Sequence, residues 1–298
     1  MKRNVWLFLL LAVFTVVTVA CTIDDNNSAS NDDNNASNEN DENGEETSDR
    51  SWLDVEEAGT LVVGTSGTYA PVTFFNEDNE LTGFDVELAR AIAEYLEVDI
   101  EFSTMDFDGI LPALRNGQIN FALNDFAVTE ERLETFDFTE AYKYSYGSII
   151  VRTEDLDQFQ SVDDLTGIPV ALGSLTSNYA RFAEHIEADG VAYDGGVEAI
   201  LRDILNGNRD AYLNDRLVLA RTLEEFNNDG LAVAENIKYH ATESAIPVLK
   251  GNLALIDKLN EAIDALRQDG TIAELSEEFL GEDASDPVDG SEVYEFDF

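Results

Sequence analysis

A lone cysteine, two histidines and a shortage of basic residues narrow the chemistry of this chain before any motif is read. Because Cys21 has no second cysteine to meet, a disulfide within the chain is impossible, and oxidative stapling is not what holds the fold. His185 and His240 are too few and too far apart in sequence to suggest a metal site, and both read as structural. Lysine and arginine number 17 against 62 aspartates and glutamates, a formal net charge of −45. That balance argues against a nucleic-acid partner and against a peripheral grip on anionic lipid. It reads as a solvated surface suited to salty or alkaline surroundings. The chain also lacks a nucleophile elbow, a phosphate-binding glycine loop and zinc-ligand spacing, so no cofactor is implied.

What is present begins with a positive start, Met1 to Arg3, and an apolar run over residues 5–19 that is short for a membrane span. Small residues then precede Cys21, the layout of a secretory signal peptide over residues 1–20. The word TVAC resembles the lipobox of bacterial lipoproteins, although Thr18 stands where leucine is usual. The resemblance implies that Cys21 is lipidated and that the protein faces outward from the cell membrane. An ordinary cleaved signal with an incidental cysteine is the alternative. Residues 22–50 are almost all Asn, Asp, Ser and Glu, too poor in apolar surface to offset their ordering entropy. Residues 21–50 are therefore expected to be a lipid-anchored, disordered acidic linker with an end-to-end distance of roughly 30 Å.

From Ser51 the composition is that of a folded α/β protein too long for one simple core, so two lobes are expected. Short apolar runs (residues 61–63, 72–75, 98–102 and 119–123) alternate with helical periodicity, as at Phe84, Leu88, Ile92 and Leu96. Strands separated by helices imply a largely parallel sheet whose ligands gather beyond the carboxyl ends of the strands. Residues 64–69, Phe107 and residues 124–132 should then share one rim. Within FALNDFAVTEERLETFDF the chain turns at Asn124-Asp125 and restarts as a helix capped by Thr129. That puts Arg132 in the first turn, where a helix already concentrates positive charge. One reading is an exposed arginine balanced by Glu130, Glu131 and Glu134. The other is an anion site in which backbone N–H groups and a guanidinium converge on one carboxylate.

The words LVVGTSGTYAP, LTGFDVELA, MDFDGILPAL, VTEERLETFDF, GSLTSNYA, LNDRLVL and DGTIAELSEEFLG, in this order, resemble the extracellular amino-acid-binding proteins of bacterial ABC importers. GTSGTYAP, SLTSNYA and NDRLVL look most like the branch that binds cystine. The resemblance implies a two-lobed periplasmic-binding-protein-like clamp, each lobe a mostly parallel sheet flanked by helices. Lobe one would hold residues 51–142 plus 242–298, with 283–298 a loose acidic tail; lobe two would hold residues 143–241. A free amino acid would bind between the lobes of a monomer and pass to a membrane permease. Residue by residue, Arg132 matches the arginine that grips the ligand carboxylate and Asp215 the acid that pairs with its ammonium. Tyr69 and Phe107 match aromatic walls, and Thr176 and Ser177 complete the carboxylate cradle. The chain departs from the family at Ala127, often threonine, at Asp125, often glycine or glutamine, and at Ser66, often aspartate. Asp125 is expected to add an acid beside the ammonium site, which could receive a second cation, although Ser66 in place of the frequent aspartate argues the other way. Local readings compete: Tyr69 and Phe107 as core aromatics, Asp215 as only a helix cap. An enzyme on the same clamp, of the cyclohexadienyl or arogenate dehydratase type, is the alternative function. Asp125 would then be the carboxylate left over for acid–base work.

Overall fold

The computed structural model describes residues 49–193 and 196–296; the expected signal peptide, Cys21 and nearly all of the linker lie outside them. Helix α1 (Ser51–Ala58) leads into strand β1 (Thr60–Thr65), a short β2 (Thr68–Tyr69), β3 (Thr73–Phe75) and β4 (Leu81–Thr82). Helix α2 (Phe84–Tyr95), β5 (Asp99–Thr104), α3 (Phe107–Arg115), β6 (Phe121–Ala122), α4 (Glu130–Leu133) and β7 (Phe136–Phe138) follow. The helical spacing of Phe84, Leu88 and Ile92 puts all three on the buried face of α2, against Leu61, Val63 and the later helix residues Leu259 and Ile263.

Strand β8 (Lys143–Arg152) then opens a second sheet with β9 (Pro169–Leu172), β10 (Asp189–Ala192), β11 (Ala211–Asp215), β12 (Leu231–Val233) and β13 (Tyr239–Ser244). Helices α5 (Asn178–His185), α6 (Gly196–Leu205) and α7 (Arg216–Phe226) cover it. Every residue of β11 is buried: Ala211 and Leu213 enter one apolar cluster and Tyr212 the other. A strand covered on both faces is what a continuous apolar run encodes. Strand β14 (Pro247–Leu249) returns to the first sheet, and helices α8 (Leu253–Gln268) and α9 (Thr271–Leu280) finish its cover.

The strand orders are β5-β1-β6-β14-β7 and β10-β9-β11-β8-β12, with β13 paired to β8. The expected parallel pairing holds where helices connect the strands, in β5-β1-β6 and β10-β9-β11. It does not hold throughout. Strands β8, β13 and β14 carry the chain between lobes and back, and they join their neighbours antiparallel, so both sheets are mixed. The two passages between lobes lie side by side, with Lys143 of β8 opposite Ser244 of β13 and Tyr142 N donating to Ser244 O at 2.9 Å.

Over residues 283–296 the acidic C-terminal tail is not loose. Ala284 is buried and its carbonyl accepts from Tyr144 N at 2.8 Å. Farther on, Tyr294 N donates to Lys238 O at 2.9 Å and His240 N to Tyr294 O at 2.8 Å. Phe296 lies 5.3 Å from Phe182 and 4.8 Å from His185, ring centroid to ring centroid. Among the described tail residues, Tyr294 and Phe296 thus hold it against the second lobe through backbone hydrogen bonds and ring contacts.

Candidate functional site

Helix α4 is short, and its capping fixes where Arg132 falls. Thr129 is extended and its Oγ1 accepts from Arg132 N at 3.3 Å. The Arg132 side chain turns inward: Nη1 donates to Ala127 O at 2.8 Å, and the guanidinium lies 5.2 Å from the centre of the Phe126 ring. Phe126 in turn stacks on Phe107 at 5.2 Å and 18°, so two rings back the guanidinium. Burial pulls Arg132 down to about 10, which leaves it charged at neutral pH. The exposed-arginine reading is therefore set aside: Arg132 is 9% exposed. Its acidic neighbour Glu131 reaches instead to Arg181 of the second lobe, at 2.9 Å. Among the described residues no carboxylate lies within ion-pair distance of Arg132. A buried cation without a counter-ion is costly, and a ligand anion is the group that would relieve it.

The acid side of the cleft is built from both lobes and from the passage between them. Asp215 ends β11 and caps α7, its Oδ1 accepting from Leu217 N at 2.8 Å and Val218 N at 3.3 Å. Its Oδ2 accepts from Lys143 Nζ at 3.0 Å. The same ammonium donates to Asp125 Oδ1 at 2.8 Å, where Ser244 Oγ also donates at 2.5 Å. Burial pulls Lys143 down, but the charges of Asp125 and Asp215 outweigh it and hold the ammonium above its ordinary range. Behind them, Asp85 Oδ2 accepts from Asp125 N at 2.6 Å and Tyr142 OH at 3.1 Å, while its Oδ1 is buried without a partner. Burial, reinforced by the Asp125 charge, pushes Asp85 up to about 7. Tyr69 OH donates to Asn214 Oδ1 at 2.7 Å, from one lobe to the other. Burial raises the Tyr69 and Tyr179 phenols well above their usual value, and the charges of Asp125 and Asp215 add to it.

The other sequence-predicted residues take definite places. Ser66 is buried; its N–H donates to Asn124 Oδ1 at 2.7 Å and its hydroxyl accepts from Thr68 N, so it serves a turn on the shared rim. Ala127 contributes its carbonyl to Arg132 and bridges to Ser244. Ser177 caps α5, its Oγ accepting from Ala180 N at 3.1 Å and donating to Ser174 O at 2.9 Å. Thr176 Oγ1 and Ser174 Oγ both donate to Asp108 Oδ1 of the first lobe, at 2.7 and 2.6 Å. Asp125 needs correction. It is not a free acid awaiting a second cation, because Lys143 already pairs with it. Sequence reasoning missed Lys143, Phe126, Asn214, Tyr179 and Asp108. Asp108 lies inside MDFDGILPAL, Tyr179 inside GSLTSNYA, Asn214 inside LNDRLVL and Phe126 inside FALNDFAVTEERLETFDF, whereas Lys143 stands in none of these words.

The model of the bacterial extracellular solute-binding proteins, family 3, matches residues 61–282. A probable amino-acid ABC transporter-binding protein of Haemophilus influenzae is 37% identical over 77% of this chain and 88% of its own. The L-cystine-binding protein TcyJ of Escherichia coli is 34% identical over 78% of this chain and 86% of its own. The crystal structure of YckB from Bacillus subtilis superposes with a TM-score of 0.70 at 37% identity, covering 83% of this chain and 99% of that one.

Proposed function

The chain belongs to family 3 of the bacterial extracellular solute-binding proteins, and from that premise we propose that its cleft takes a free amino acid by both charged ends. Arg132 receives the carboxylate and Asp215 the ammonium, and closure of the lobes removes both from water. The protein is the amino-acid-binding component of an ABC importer and hands its ligand to the permease. The relatives are binding proteins, so the dehydratase alternative has less behind it. Asp125, its one candidate acid–base group, is also tied up by Lys143. The observation that carries the reading is the buried guanidinium of Arg132, which has no carboxylate partner among the described residues.

The ligand is a neutral or double-zwitterion amino acid, with cystine first. TcyJ, named for L-cystine, is among the relatives. A second ligand carboxylate would meet no unpaired cation: Arg181 is held by Glu131 and Lys143 by two aspartates. Left desolvated and unpaired it costs several kcal/mol. Calorimetric titration with glutamate, cystine and glutamine at one salt concentration is expected to rank glutamate last. Glutamate binding tighter than cystine would sink the assignment.

Cys21 anchors the monomer to the outer face of the cell membrane. The support is the signal-peptide layout and the lipobox-like TVAC. Cys21→Ala is expected to release the protein into the soluble fraction with ligand affinity unchanged, since two acyl chains are what make such anchoring stable. If the alanine variant stays with membranes after a high-salt wash, the anchor lies elsewhere.

A further inference from the structure

Lys143 is a fully buried lysine at the first position of the strand that leaves the first lobe, and it pairs with one acid from each lobe. We propose that Lys143 is a specificity-determining residue: its ammonium, fixed between Asp125 and Asp215, is a built-in cation that turns away amino acids carrying a second positive charge. The proposal rests on the reading of this cleft as an amino-acid site and names which ligands that site refuses.

The argument is a count of charges and lone pairs. Asp125, Asp215 and Lys143 together carry a single net negative charge, with the Asp85 carboxyl, pushed up to about 7 by burial, behind them. Asp215 Oδ1 is filled by two backbone N–H groups, whereas Oδ2 carries only Lys143 and keeps one lone pair for a ligand ammonium. One α-ammonium therefore brings the group to neutrality. A guanidinium or second ammonium on the ligand side chain would find Asp125 already taken by Lys143 and Ser244, and would face the Lys143 charge across a partly desolvated space. A tethered lysine also cannot be washed out or replaced by a solvent cation. The discrimination is thus fixed in the chain.

Titrating arginine, glutamine and cystine into the full-length wild type, Lys143→Met, Asp125→Asn and the double variant tests this. Wild type is expected to bind the neutral ligands and not arginine. Removing the lysine is expected to raise the arginine-to-glutamine affinity ratio by roughly 10- to 100-fold, the size of one unscreened charge–charge contact at several ångströms. The double variant restores a single net negative charge, so its ratio is expected to fall back toward that of wild type. If Lys143→Met does not fold, because two buried acids are left facing each other, Asp125→Asn is compared with the double variant. The same lysine is then removed from a less acidic setting, and the same rise is expected. An unchanged ratio in a folded lysine-free protein overturns the proposal. A wild type that binds none of these amino acids fails differently: it removes the reading of the cleft itself.

Discussion

Arg132→Lys is expected to lose ligand affinity almost as completely as Arg132→Ala. Charge is not what the substitution changes. The guanidinium is held in one plane by Ala127 O on one side and by the Phe126 ring, itself stacked on Phe107, on the other. A planar fork so fixed presents its remaining N–H groups together, the two-point match that a carboxylate accepts. A lysine ammonium has neither the plane nor the reach to keep the Ala127 contact and meet the ligand at once. Losing such a contact in a closed cleft costs about 2–5 kcal/mol, tens- to thousands-fold in affinity. The stability of the free protein should move in the opposite sense or very little, because alanine or methionine at 132 removes a buried charge that has no carboxylate partner within the described protein. Calorimetry on the lysine and alanine variants, with thermal melts of both, reads the two effects separately. Near-native affinity in the lysine variant would take Arg132 out of the site.

How much of this was legible depended on whether the signal was local. Thr129 as cap and Arg132 in the first turn were readable because capping is settled within three residues, and the turn at Asn124-Asp125 appears as a positive φ of 56° at Asp125. At the site's acid end Asp215 and Asp125 were readable, but Lys143 was not. Lys143 meets partners 18 residues before it and 72 after it, and nothing at position 143 distinguishes it from a lysine flanking a strand. Without it, Asp125 reads as an extra acid that could receive a second cation, whereas the structure pairs it with Lys143. The tail failed in a similar way: its acidic residues set the composition, while two rings, Tyr294 and Phe296, set the packing. Sheet direction was half legible, since a helix between strands fixes parallel pairing locally but the passages between lobes obey only the global topology.

Asp215 is where local and global roles coincide, and a pair of substitutions is expected to split them. Its Oδ1 caps α7 through Leu217 N and Val218 N, and its Oδ2 pairs with Lys143. Asp215→Ala removes all three interactions. Breaking a buried ion pair costs roughly 3–5 kcal/mol when the other charge is orphaned. Here Lys143 keeps Asp125, so the pair contributes less. With about 1 kcal/mol for the lost cap, the alanine variant should lose about 2–4 kcal/mol of stability. Asparagine caps a helix as well as aspartate does, so Asp215→Asn keeps that interaction and gives up only the charge. Its stability loss should be the smaller of the two, read as a higher midpoint in urea. Its ligand affinity, by contrast, should fall as far as that of the alanine variant. With Asp125 and Lys143 then cancelling each other, no net negative charge would remain to meet the ammonium. Equal destabilisation by asparagine and alanine would mean that the ion pair, not the cap, holds this junction together. An asparagine variant that binds its amino acid like wild type would show that Asp215 is a cap and a hinge contact only, and that the ligand ammonium is received elsewhere.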